Sequence, residues 1–149
     1  MMTFRLKKFS ELNVSELYEL LKLRAEVFVV EQKCAYQDLD GKDQDSLHLL
    51  GYENKDLVAY ARLVKPGISY KEASIGRVVV SPVCRKKKYG YLLMEQALRD
   101  CELNFSAEQI VISAQQYLEK FYCSLGFATE SEPYLEDDIP HIKMRYVKK

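Results

Sequence analysis

The stretch Val78-Val79-Val80-Ser81-Pro82-Val83-Cys84-Arg85-Lys86-Lys87-Lys88-Tyr89-Gly90-Tyr91-Leu92-Leu93-Met94 decides the fold. Three β-branched residues in a row make a strand, Ser81-Pro82 stops it, and four basic residues form a turn. A helix follows from Gly90. Behind it Met94, Ala97, Leu98 and Cys101 fall at i, i+3, i+4 and i+7, one apolar stripe facing a core. A helix start leaves about four N–H groups without partners, and the macrodipole adds about half a positive charge there. A pyrophosphate satisfies both, at about 1.5–3 kcal/mol for each charge-assisted hydrogen bond. Gly90 admits a close approach, and Arg85, Lys86, Lys87 and Lys88 add cationic reach. The segment alone reads equally well as a solvated basic turn closed by a glycine break.

Outward from this unit, the pattern alternates strand and helix. Ile75 to Val80 is β-branched, and Leu57 to Val64 alternates with a period of two. Leu47 to Glu53 is a strand joined to it by the turn Asn54-Lys55-Asp56, and Thr3 to Phe9 is another. Asn13 with Glu16 three residues on is close to a capping box, and Leu17, Leu20 and Leu21 share the helical face behind it. That helix fades toward Phe28 and Val30. Cys34 to Ser46 is polar, acidic and aperiodic, a loop long enough to carry a role. Downstream, Ile110 to Ile112 is a buried strand, and a helix from about Gln116 to Leu125 ends at Gly126, a C′ glycine. Phe127 to Thr129 and His141 to Val147 are the last strands. The order β-α-β-β-β-α-β-α-β-β defines one α/β domain spanning residues 1–149, without linker, repeat or low-complexity segment.

Composition narrows the class. The 149 residues are 48% hydrophobic and 30% charged, an ordinary globular balance. Twenty-two basic and 22 acidic residues cancel, which argues against a whole-protein grip on nucleic acid or anionic lipid. Cys34, Cys84, Cys101 and Cys123 form no CxxC pair and His48 and His141 are the only histidines, so no metal spacing can be drawn. Reduced thiols, no apolar run near the N-terminus and no run of about 18 apolar residues point to a cytoplasmic, soluble protein that is not in a membrane. The acidic loop Asp38 to Asp45 fails as a calcium loop, because Gly41 is the fourth position of DxDGxD and no glutamate closes it.

The central stretch resembles motif A of the GNAT superfamily of N-acetyltransferases, written R/Q-x-x-G-x-G/A. Arg85 fills its first position and Gly90 its last, with Lys88 where the middle glycine belongs. Tyr117-Leu118-Glu119-Lys120-Phe121-Tyr122-Cys123-Ser124-Leu125-Gly126-Phe127 resembles motif B, A-x-x-F-Y-x-x-x-G-F, with Leu118 for the alanine. Arg24-Ala25-Glu26-Val27-Phe28, Asp38-Leu39-Asp40-Gly41-Lys42-Asp43, His48-Leu49, Tyr60-Ala61-Arg62-Leu63, Ile75-Gly76-Arg77-Val78 and Ile139-Pro140-His141 look like the ElaA branch, over essentially the whole chain.

The resemblance implies a mixed, mostly antiparallel sheet of six to seven strands flanked by helices and splayed between the fourth and fifth. It implies acetyl-coenzyme A as cosubstrate, without a metal, held by Val78, Val79, Val80, Arg85 to Lys88, Tyr89, Gly90, Tyr91, Phe121 and Tyr122. Tyr122 is then the general acid for the departing thiolate, and the Val80 backbone N–H polarises the acyl carbonyl. The acceptor is a small-molecule or peptide amine, and the chain a monomer or homodimer.

An alkyl amine with pKa near 10 is about a thousandth neutral at pH 7, a handicap of about 4 kcal/mol. A base should therefore stand near the cleft. Glu31, at a helix end beside Val29 and Val30, comes first, and His48 and His141 follow. Arg24, Phe28, Arg62, Arg77, His48 and His141 are candidates to line the acceptor site, the arginines pairing with Glu31, Asp38 or Asp40 or holding an acidic acceptor. Three other readings remain: transfer of a different acyl group from coenzyme A, with a faint likeness to acyl-homoserine-lactone synthases at Arg24 and Phe28; a non-catalytic coenzyme-sensing module; and a purely structural partner-binding domain.

Overall fold

The structure, a computed structural model, describes residues 2–149; Met1, part of the N-terminal stretch read for a targeting segment, lies outside them. Eight strands and three α-helices alternate: β1 (Met2–Lys8), α1 (Val14–Arg24), β2 (Leu47–Glu53), β3 (Asp56–Val64), β4 (Ser74–Val80), α2 (Tyr89–Phe105), β5 (Gln109–Gln115), α3 (Glu119–Ser124), β6 (Phe127–Thr129), β7 (Tyr134–Glu136) and β8 (Ile139–Val147). The three-residue β7 is the strand that the sequence pattern did not give, and it takes the count one above the expected range.

The capping box forms in full. Asn13 Oδ1 accepts from the Glu16 N–H at 2.8 Å, and the Glu16 carboxylate accepts from the Asn13 N–H at 2.9 Å. Beyond Arg24 the helix widens into a π-helical segment, Ala25–Glu31. Its wider turn carries into the N–H groups of Gln32 and Cys34, which donate five residues back to Val27 and Val29.

Strands β1-β2-β3-β4 form one antiparallel sheet, and β5-β8-β6 form a second, with β7 also paired to β8. The two meet through a parallel bridge between Ala73 and Ile110, where the Val111 N–H donates to the Ala73 carbonyl at 3.0 Å. Beyond that bridge β4 and β5 diverge toward Val80 and Gln115. This is the expected splay between the fourth and fifth strands.

Each face of the first sheet has its own core. Ala59, Ala61 and Leu63 of β3 pack under α2 with Leu93, Met94, Ala97 and Cys101. Leu50, Tyr60 and Val79 pack under α1 with Leu20, Leu23 and Val27. Burying a side chain of this size contributes about 1.5–3 kcal/mol. The α2 stripe therefore outweighs the cost of about 1 kcal/mol for a helix start without a capping side chain, and Lys88 at the α2 N-cap makes no side-chain cap. At the end of α3, Gly126 has φ +104°, and an added Cβ would lie 3.2 Å from the Tyr146 ring. A glycine is required there.

Candidate active site

Where β4 and β5 part, a cleft of about 1070 Å³ opens between the sheets. Val78, Val79 and Val80 form one wall, and Ile112, Ser113 and Gln115 of β5 face them. A β-bulge shapes the first wall. Tyr60 pairs with Val79 but Arg62 with Gly76, so β4 carries one extra residue. Arg77 takes the strain at φ +51°, a conformation uncommon for a side-chain-bearing residue. The Ser81 N–H donates to Val58 on β3 at 2.7 Å. Because strand N–H groups alternate sides, that of Val80 faces the splay, where β5 has moved away.

The basic turn follows. Pro82–Lys87 forms a 3₁₀ turn, and Lys88 adopts φ 59°, the left-handed conformation for which glycine is the usual residue. This explains the position of Lys88 in the motif: it accepts the same backbone turn at a steric cost. Gly90 lines the cleft, and a Cβ built on it would sit 3.4 Å from the Phe121 ring, an ordinary contact. Phe121 and Tyr122 of α3 close the floor, with ring centroids 5.1 Å apart at 70°. Tyr122 is buried, and that burial pushes its hydroxyl well above the usual tyrosine range.

Several residues expected at the coenzyme have other side-chain partners. Lys87 is paired with Glu53 at 3.0 Å, and the Tyr89 hydroxyl bonds to the same carboxylate. Tyr91 packs edge-on against Phe121, outside the cleft lining, and the Lys86 and Lys88 side chains do not line it either. From Lys86 to Tyr91, Gly90 alone has atoms in the cleft wall.

Arg85 does line the cleft and is bidentate to Glu31, at 2.7 and 2.5 Å. The hydrogen bonds from Arg85 hold the Glu31 carboxyl below its ordinary value. The sequence placed Glu31 first among bases; a carboxylate already neutralised by a guanidinium has a weakened hold on a proton.

The acceptor-side candidates divide. Phe28, Arg62, Arg77 and His141 line the cleft, but Arg24 and His48 have no exposed surface and lie behind it. Arg24 bonds Asp38 at 2.8 Å and Asp43 at 2.7 Å. His48 donates from Nε2 to the Asp43 carbonyl at 2.8 Å, so its Nδ1 accepts from the Tyr60 hydroxyl at 2.6 Å. Burial lowers its proton affinity and keeps it neutral. These two residues tie the loop to α1 and the first sheet. Arg62 joins them, forked onto Asp40 at 2.8 Å and reaching Asp43 at 3.0 Å, and Arg77 bonds Asp38 at 2.7 Å. Burial opposes the charge on Asp43 and Asp40, but the guanidinium bonds outweigh it and hold both carboxyls low.

Some cleft residues carried no signal in the sequence. Gln32 and Gln115 exchange amide hydrogen bonds at 3.2 Å across the splay, and the Cys34 thiol lies 3.3 Å from the Asp137 carbonyl. Tyr36 receives Arg77 over its ring, with 5.8 Å to the centroid. Polar Ser113 and Gln115 at alternate positions after the apolar run Ile110 to Ile112 of β5 were the one available hint.

Two splayed antiparallel sheets, a bulged fourth strand and an uncapped helix start opening on the same cleft define an acyltransferase of the GNAT class. The chain belongs to that family: the acetyltransferase (GNAT) domain matches residues 7–148. It is 48% identical over 137 residues to protein ElaA of Escherichia coli, covering 91% of this chain and 90% of that one. A UPF0039 protein of Schizosaccharomyces pombe is 48% identical over 144 residues, 95% of each chain. A solved structure described as an acyl-CoA N-acyltransferase from Pseudomonas aeruginosa superimposes with a TM-score of 0.91 at 44% identity, over 99% of this chain and 100% of that one. Among the described residues no cluster of His, Cys, Asp and Glu could hold a metal ion, and no helix is long and apolar enough to cross a membrane.

Proposed function

We propose that the protein transfers an acetyl group from acetyl-coenzyme A to a primary amine by direct attack. The observation that carries this is the uncapped start of α2, with side-chain-free Gly90 in the wall of the cleft that Tyr122 also lines. The residues present fit a coenzyme A thioester. The N–H groups after Lys88 suit its pyrophosphate, and the divergence of β4 from β5 leaves room for an extended arm. When bound, the thioester supplies an acyl carbon activated by a good leaving group.

The chain's own groups do the rest. The Val80 N–H donates to the acyl oxygen as negative charge develops on it. Tyr122 gives its proton to the departing sulfur. A phenol near 10 and a thiol near 8.5 make that transfer uphill in water. The burial that pushes the Tyr122 hydroxyl up acts on a poorly solvated sulfur in the same direction, so the gap does not widen in proportion.

A panel of amines and short peptides, assayed with acetyl-coenzyme A by detection of free thiol, tests the proposal. Calorimetry with coenzyme A runs alongside. Expected are micromolar binding and at least one amine giving turnover above the hydrolysis background. Binding with no turnover on any amine or thioester leaves a coenzyme-sensing module instead. Faster thiol release from a longer thioester moves the donor away from acetyl, and absence of coenzyme binding ends the proposal.

A further inference from the structure

We infer that His141 is the general base that draws the proton from the acceptor amine, with Glu136 as its positioning residue; this rests on the amine-acetylation function proposed above. Three base candidates came from the sequence, and two are engaged elsewhere. The Glu31 carboxylate is forked onto Arg85, and both ring nitrogens of His48 are tied in the core. His141 differs. Its Nδ1 lies 2.7 Å from the Ile139 carbonyl, which can only accept. In the neutral ring the proton therefore sits on Nδ1 and the lone pair on Nε2.

The ring is fixed in the cleft wall, its side chain 8% exposed. Tyr134 stacks on it at 6.3 Å and 24°. Glu136 places Oε2 at 3.5 Å from Nε2, ready to balance the charge that a captured proton brings. That carboxylate is itself anchored: Oε1 accepts from Ser113 Oγ at 3.1 Å, and Ser113 Oγ shares a 2.6 Å bond with the Tyr134 hydroxyl. Among the described residues no Lys or Arg pairs with Glu136, so its charge remains available to an imidazolium. The titratable groups facing this assembly are Glu136 and Tyr134 of β7 and, from the opposite side, Tyr70, which interacts with both of them and with Ser113. Gln115, its cross-strand neighbour on β5, is neutral.

The step balances as follows. An ammonium acceptor gives one proton to Nε2, and the freed nitrogen lone pair forms the C–N bond while the C–S bond breaks. The nitrogen then loses its second surplus proton. One proton ends on sulfur through Tyr122 and one goes to solvent, so ammonium plus thioester yields amide, thiol and one proton.

Because the chain has two histidines, ring-nitrogen NMR of the uniformly ¹⁵N-labelled protein decides the first point without an acceptor. Expected are two opposite tautomers at neutral pH, Nε2–H for His48 and Nδ1–H for His141, the latter signal vanishing in His141→Gln. An Nε2–H tautomer for His141 overturns the inference whatever the amine panel shows. Kinetics with the most active panel amine supply the second arm. His141→Gln should lower kcat/KM about a hundredfold, consistent with removal of a general base, and lose the acid limb of the pH profile, with coenzyme A affinity within twofold of wild type. Added imidazole should partly restore His141→Ala. Glu136→Gln, which can keep the Ser113 bond, should cost about tenfold in kcat at unchanged coenzyme affinity. A His141→Gln enzyme with the wild-type rate and pH profile overturns the assignment. A wild-type protein that binds no coenzyme A instead sinks the acetyltransferase proposal, and the tautomer still reports on the ring.

Discussion

At the scale of single residues, chemistry and burial pull Tyr122 in one direction. It is 6% exposed, it belongs to the cleft wall, and burial makes its proton hard to lose to water. Such a group is useful only to a partner that is equally dry. Tyr122→Phe keeps the ring contacts with Phe121 and Phe127 and removes only the hydroxyl. We expect turnover to fall at least tenfold with coenzyme A affinity nearly unchanged, measured by thiol release and calorimetry. An unaltered rate would take Tyr122 out of the mechanism. The sequence pointed to Tyr122, Gly90 and His141 because each lies in a short motif whose neighbours fix its setting. Arg24 and His48, which it offered for the acceptor side, are buried behind the cleft wall, because a charged or polar residue reads as cleft-facing until its buried partners are known. Those partners, Asp38 and Asp43, come from a loop without periodicity.

At the scale of elements, the strand–turn–helix unit from β4 to α2 was legible almost to the residue, since β-branched runs, Ser-Pro and the 3.6-residue stripe each leave their own signature. The capping box of α1 and the strand limits of β2 and β6 were equally plain. The π-helical segment and β7 were not: Ala25–Glu31 is rich in valine, which favours strands over helices, and three residues ending in a glutamate show no alternation. The turn itself makes two predictions that separate folding from binding. Lys88→Glu places a negative charge at the start of α2, which favours the helix by about 0.3–1 kcal/mol but repels a pyrophosphate. Stability against urea should hold or rise slightly while coenzyme A affinity drops about tenfold. Gly90→Ala adds a Cβ where the protein itself leaves 3.4 Å to Phe121, so the fold should tolerate it and the loss should fall on coenzyme binding. A matching loss of stability and affinity in either variant would instead make the turn a structural feature.

At the scale of the whole molecule, the loop from Cys34 to Ser46 is held to the first sheet by charge rather than by apolar packing. Arg24 from α1, Arg62 from β3 and Arg77 from β4 converge on Asp38, Asp40 and Asp43. Asp43 is central: Oδ1 accepts from both Arg24 and Arg62, and its carbonyl accepts from His48. Removing one partner of a buried ion cluster leaves the others uncompensated, at about 3–5 kcal/mol, a large share of the roughly 5–15 kcal/mol that holds a domain folded. Asp43→Asn keeps the shape and removes the charge, so its urea midpoint should fall steeply. The same groups set the acid limit. His48 binds a proton less readily folded than unfolded, so its contribution is whole above about pH 6.5 and erodes as pH falls below that. Asp40 and Asp43 also have depressed folded values; their contribution is whole above about pH 4 and is lost as pH falls through those values. Urea titrations from pH 7 down to pH 3 should therefore show a shallow decline followed by a steep one, the steep part flattened in Asp43→Asn. A variant as stable as wild type at pH 7, with the same acid profile, would mean that the loop is held by something other than these charges.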